Sequence, residues 1–254
     1  VKGGVEIPEC NVQEVMDKFV KRYIPDLEGI STDAVIALKI DCDGDYVYAE
    51  KSLPSINASI SIPDSKVRLE GIDNPISMRM EASASTSDGK LGAYINQMNA
   101  ECRGLELKLK AGSDDIIESD PQISMDGKLD INLKELRTFL PDSADMTAGG
   151  QIHARINGKL KSSHLDIYSF SQADINGEIT GDSIILHSPS DSVDIDIDRI
   201  DITLGPETKV SQRDNTRKFQ MMAVKGNAAN MSVSYGTICL KGEELSINVM
   251  NSAQ

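Results

Sequence analysis

From Ile36 onward the chain keeps a period of two. Ile36, Leu38, Ile40 and Cys42 alternate with Ala37, Lys39 and Asp41, and Ile56, Ala58, Ile60 and Ile62 alternate with Asn57, Ser59 and Ser61. The pattern returns at Ile76, Met78, Met80 and Ala82, at Leu105, Leu107 and Leu109, and at Leu129, Ile131 and Leu133. In the second half it runs through Ile152, Ala154 and Ile156, then Ala173, Ile175, Gly177 and Ile179, then Val193, Ile195 and Ile197 against Asp194, Asp196 and Asp198. Later strands are expected around Phe219–Val224, Met231–Tyr235 and Leu245–Val249. Successive side chains of a strand point to opposite faces, so each segment predicts a strand with one apolar and one wet face, the mark of antiparallel sheet. Between Asp198 and Ile202 the phase slips by one, which predicts a bulge or bend.

Two places depart from this period. Val12, Val15, Met16, Phe19, Val20 and Tyr23 recur at helical spacing, with Asn11 and Glu14 placed as a capping box and Pro25 as a stop. They predict an N-terminal amphipathic helix from Asn11 to about Tyr23. A short mid-chain helix is expected over Lys134–Leu140, ended by Pro141. Asp43-Gly44, Asp88-Gly89, Asp126-Gly127, Asn157-Gly158 and Asn176-Gly177 suit positive-φ turns, and Asn176-Gly177 equally suits a bulge within a strand. Residues 205–217 read as a polar loop. The motifs Met125–Leu129, Ile156–Leu160 and Ile175–Ile179 repeat one apolar-turn-apolar unit at irregular spacing. The expected organisation is a segment with the helix over 1–29, a first sheet region over 30–120, a second with the short helix over 121–205, and C-terminal strands over 206–254.

About a dozen strands with one apolar face each need something to cover those faces. Two sheets packed dry against each other would do it. So would a long curled sheet whose apolar face is covered by a ligand. Aromatic residues make up 4% of the chain and Trp is absent, so Ile, Leu, Val, Met and Ala fill these faces. Such surfaces adapt to flexible ligands, which favours the second solution slightly.

Other functions find little support. A net charge of −14 opposes a polyanion partner, and the basic cluster Lys209, Arg213, Arg217 and Lys218 is interrupted by Asp214. Asp41, Asp43 and Asp45 begin like a calcium loop, but Tyr46 and Ser52 stand where an EF-hand needs Gly and Glu. A hairpin turn is the better reading. The aspartates at 194, 196 and 198 read as the wet face of an edge strand. Cys10, Cys42, Cys102 and Cys239 form no CxxC pair, and their pairing, if any, stays open. No nucleophile elbow, HExxH, Walker or GxGxxG motif occurs, so neither enzyme chemistry nor a cofactor is expected. No stretch of the sequence reads as a signal peptide or a membrane helix.

Several longer segments carry a resemblance. Leu53–Ile56 followed by ISIPDSKVRLEG, then ISMDGKLDINLKELRTFLPD at 123–142, and above all GGQIHARINGKLKSSHLDIYSFSQADINGEITGDSIIL at 149–186, together resemble the AsmA-like family of Gram-negative envelope proteins in its Bacteroidetes form. The resemblance implies a periplasmic β-groove concerned with phospholipid movement and outer-membrane integrity. It also implies an inner-membrane anchor preceding this stretch, and it brings no catalytic residues.

The expectation is therefore a mainly β protein: a long curved antiparallel sheet of repeating hairpins, forming a groove for phospholipid or other acyl-chain lipid. Its lining would be Ile36, Leu38, Ile40, Ile60, Ile62, Met78, Met80, Leu105, Leu107, Leu109, Leu129 and Ile131. The alternative is a structural or adhesive β-domain that contacts other envelope proteins.

Overall fold

A computed structural model of the chain describes residues 2–20, 29–45, 53–70, 74–139, 145–165, 169, 172–210 and 218–252. Among them are thirteen strands: β1 (Lys2–Asn11), β2 (Ile30–Thr32), β3 (Val35–Asp43), β4 (Ser55–Leu69), β5 (Ile76–Ser87), β6 (Lys90–Cys102), β7 (Leu105–Ser113), β8 (Gln122–Asn132), β9 (Thr147–Lys161), β10 (Asp174–Ser188), β11 (Val193–Val210), β12 (Lys218–Tyr235) and β13 (Ile238–Ser252). They form one open antiparallel sheet in which β3 to β13 are hydrogen-bonded in chain order, with β1 beside β3 and β2 beside β4. The chain divides into two compact units, residues 1–103 with 107–123, and residues 104–106 with 124–254.

Several local expectations need correction. The N-terminal amphipathic helix is reduced to α1 (Val12–Val15) and a π-helical turn at Met16–Val20, and the expected end at Tyr23 and Pro25 lies outside the described residues. Its cap is present, with the Glu14 amide donating to Asn11 Oδ1 at 3.2 Å. Residues ahead of it form the edge strand β1, whose register shifts between Ile7 and Cys10 around Pro8. A proline lacks the amide that a ladder needs and is tolerated on edges and at bulges. The mid-chain helix shrinks to α2 (Leu133–Leu136) and a 3-10 turn at Arg137–Phe139, capped by Asn132, while Leu140 and Pro141 lie outside the described residues.

Of the five turn dipeptides, only Asp88-Gly89 closes a two-residue hairpin, with φ of 52° and 75° and Ser87 opposite Lys90. Gly44 also has positive φ, but the residues after Asp45 are not described. Asp126-Gly127, Asn157-Gly158 and Asn176-Gly177 lie inside β8, β9 and β10. The 205–217 loop is shorter than expected, because Gly205–Val210 continue β11 and pair with Lys218–Ala223. Residues 211–217, with Arg213 and Arg217, lie outside the described residues.

The second unit keeps its apolar residues on one face, in cross-strand rungs. Gly177, Leu204, Val224 and Val249 form one, Ile179, Ile202, Gly226 and Ile247 the next, and Gly181, Ile200, Ala228 and Leu245 a third. Beyond these the strands change phase together. Ser183, Asp198, Asn230 and Glu243 drop out of the ladders, and the apolar rungs resume at Ile184, Ile197 and Met231, then at Leu186, Ile195, Val233 and Leu240. The face is the same on both sides of this crease. A Cβ placed at Gly181 would lie 2.6 Å from Ile184 Cδ1 and 2.7 Å from Ile200 Cγ2, so all three point the same way. Ser183 and Asn230 take φ of 51° and 47°, Gly150 in β9 takes 97°, and Asn230 Nδ2 donates to Asp198 Oδ2 at 2.6 Å across the crease. The phase slip read from the sequence after Asp198 falls in this row, where opposed residues leave the ladders together without a shift of register.

Each unit is thinly cored. In the second, Leu160, Ala173, Ile175 and Met222 make a buried cluster, with Met125 and Leu204 against it. In the first, Ala34 and Ile62 are the buried aliphatic residues among those described. The chain's accessible surface is 16,797 Å² at 27.5 kDa. A compact monomer of that mass exposes about 11,000 Å². Two sheets packed dry would bury whole rows of side chains, and within neither unit does that occur.

Candidate functional site

The register of the first unit builds an apolar face from β1 to β6. Val5, Ile40, Ala58, Ala84 and Ala93 oppose one another across five strands, and Ile7, Leu38, Ile60, Ala82 and Ile95 form the adjacent rung. Ile62, Met80 and Met98 follow, then Met78 with Ala100. Directly opposed residues of antiparallel strands share a face, so these side chains make one surface. It is largely uncovered: Val5, Ile7 and Ile60 are exposed and most of the others half-buried.

Within that face lies a hollow of about 410 Å³. Its floor is small because alanine recurs there, at Ala58, Ala82, Ala84, Ala93 and Ala111, with Ile60 and Ile95 beside it. The segment after β7 supplies a wall. The Ile116 amide donates to the Leu91 carbonyl at 2.8 Å, and Ile116 lines the hollow. Pockets of roughly 300–1,000 Å³ lined mainly by apolar groups are typical of small-ligand sites.

The opposite face holds the floor in place. Tyr94 lies over two glycines: a Cβ at Gly112 would come within 2.3 Å of its Cδ1, and one at Gly92 within 3.0 Å of its Cε2 and hydroxyl. Its hydroxyl donates to Asp114 Oδ1 at 2.6 Å. That hydrogen bond first, then burial and the Asp114 charge, raises the Tyr94 pKa. The ring thus fills the space two glycines leave on the back of the sheet and ties β6 to the segment that carries Ile116.

Seven of the expected lining residues, Ile36, Leu38, Ile40, Ile60, Ile62, Met78 and Met80, stand on β3, β4 and β5 in the phase of this face. Leu107 and Leu109 are in phase along β7 with Ala111 and Ser113, which line the hollow. Leu105, Leu129 and Ile131 belong to the second unit, the last two in phase with Met125. Of the whole set only Ile60 lines the hollow itself. The sequence reading favoured the largest side chains, whereas the hollow exists where they are small.

The wet face of the second unit carries a polar cleft of about 580 Å³ between Arg155, Glu178, Thr203 and Lys225, where Lys225 pairs with Glu207. Nearby, Asp130 is held between Lys128 and His153, each at 2.5 Å. The Lys128 hydrogen bond, then that of His153, keeps the Asp130 carboxyl below its ordinary pKa. Among the described residues no three or more His, Cys, Asp or Glu side chains converge as a metal site, and none of the four cysteines is in a disulfide. Asp194 pairs with His187 at 3.5 Å, and Asp198 accepts from Asn230. No protein-family model, curated protein or solved structure matches the chain.

Proposed function

We propose that the chain is a non-enzymatic lipid-handling module of the cell envelope, whose first unit holds phospholipid acyl chains on its apolar face. The reading is carried by one observation: rung after rung of aliphatic side chains from Val5 to Ala100, with only Ile62 buried along them. Water contact over so large an apolar area is unfavourable, and covering it with a tail removes the cost. Burying ~200 Å² of apolar surface is worth roughly 5 kcal/mol. Alanine in the floor leaves room for a methylene chain, while branched side chains to either side keep the surface apolar but deformable. Head groups would stay at the wet margin, and no step needs a cofactor or a catalytic group. The AsmA-like resemblance points the same way and adds the expected setting, a periplasmic module tethered to the inner membrane.

Native mass spectrometry of the intact chain, with solvent extraction of what dissociates, tests this. Near-stoichiometric phospholipid is expected. Ala84→Phe should fill the hollow and lower uptake of a fluorescent fatty acid at least tenfold while leaving the circular dichroism spectrum unchanged, since Ala84 faces the hollow. A ligand-free mass together with no fatty-acid uptake would sink the reading and favour a β-domain that binds protein.

A further inference from the structure

Among the described residues, strand β13 is hydrogen-bonded on one side only, to β12. Ile238, Leu240 and Ile247 on it are 71%, 55% and 51% exposed. Exposed edges of this kind pair with other strands unless charge or shape prevents it. Here the sequence from Ile238 to Ile247, ICLKGEELSI, matches its own reverse in polarity. The crease is what makes the match work in three dimensions. Glu243 stands on it unpaired, so Ile238 and Leu240 share the apolar face with Leu245 and Ile247, while Cys239 and Lys241 share the wet face with Glu244 and Ser246.

We propose that β13 pairs antiparallel with β13 of a second copy, about a two-fold axis between Gly242 and Glu243. In that register Ile238 opposes Ile247, Leu240 opposes Leu245, Cys239 opposes Ser246, and Lys241 opposes Glu244, each pair occurring twice by symmetry. An isologous contact of this kind closes on itself and gives a dimer, not a filament. Cross-strand aliphatic and opposite-charge pairs each favour this register. Sliding by one residue sets Leu240 against Ser246 and mismatches the faces. Sliding by two sets Glu243 against Glu244 in one direction and loses both Lys241–Glu244 pairs in the other. The charges that guard an edge against indiscriminate pairing thus admit one partner in one register. Gly242 has nothing within 4 Å of a Cβ placed on it, so the centre of the contact is open for approach. The crease also continues from one copy into the next, because the two copies meet at it. None of this depends on lipid binding.

Sedimentation of the intact chain should show a monomer–dimer equilibrium. Lys241→Glu places like charges opposite each other twice and should weaken it about tenfold to a hundredfold. Glu244→Lys should do the same, and the double variant Lys241→Glu/Glu244→Lys should restore the dimer. Ser246→Cys should give an oxidised dimer whose linked peptides join Cys239 to position 246, whereas Asn248→Cys should not. Within one strand those two positions are too far apart to bridge. A strictly monomeric wild-type chain, a dimer indifferent to Lys241→Glu, or a double variant that stays monomeric would each overturn the proposal.

Discussion

Asp130 shows how much a single carboxylate on the wet face is tied down by its neighbours. Its depressed pKa means that its contribution to stability is fully present above its unfolded value of 3.8 and is lost as pH falls through the lower folded value. Carbon-detected NMR should place its midpoint below that of an ordinary aspartate, and Lys128→Met should raise it, because Lys128 is the larger cause. Tyr94 shifts the opposite way, since deprotonating it would set a phenolate against the Asp114 carboxylate. In Asp114→Asn the Tyr94 absorbance titration should move back toward 10.0. Gly112→Ala would drive a methyl into the Tyr94 ring and should cost about 1–3 kcal/mol in urea denaturation. These couplings join residues far apart in sequence, such as Tyr94 with Gly112. No spacing rule announces them before the register is known.

At the scale of the element, period two was readable because the alternation of faces is a property of each strand alone. Length and position were less readable. Gly3, Gly4 and Pro8 broke the alternation in β1, so an edge strand hid in front of a capped turn that looked like a helix start. Gly205–Val210 carried no apolar alternation, yet β12 offered them a ladder, and pairing overrode composition. The hollow was hidden for a related reason: alanines add little hydrophobic signal, and they converge only when four strands are set in register. The crease is the element most open to test. Asn230 and Ser183 hold left-handed backbone at the cost of non-glycine side chains. Ser183→Gly should raise stability by up to about 1 kcal/mol. Deleting Asp198 should instead leave Ile197 and Ile200 on one face but remove the residue that stands opposite Ser183 and Asn230, and so lower the stability of the second unit in denaturant titrations.

For the whole molecule, the accessible area of 16,797 Å² has a thermodynamic corollary. Surface already wet in the folded chain cannot be newly exposed on unfolding, and the urea m-value and the heat-capacity change both scale with newly exposed surface. Both should fall clearly below those of a compact 254-residue protein, and both should rise when lipid or a second copy covers apolar area. A calorimetric heat capacity equal to that of a well-packed domain would contradict this. The strand order has a mechanical consequence as well. Within each unit most of the described strands pair only with those next to them in sequence. Pulled from its edge, such a structure gives way one hairpin at a time, in many small steps of similar force. It would behave as a zip that opens and recloses, where a sandwich of the same length would hold firm and then snap.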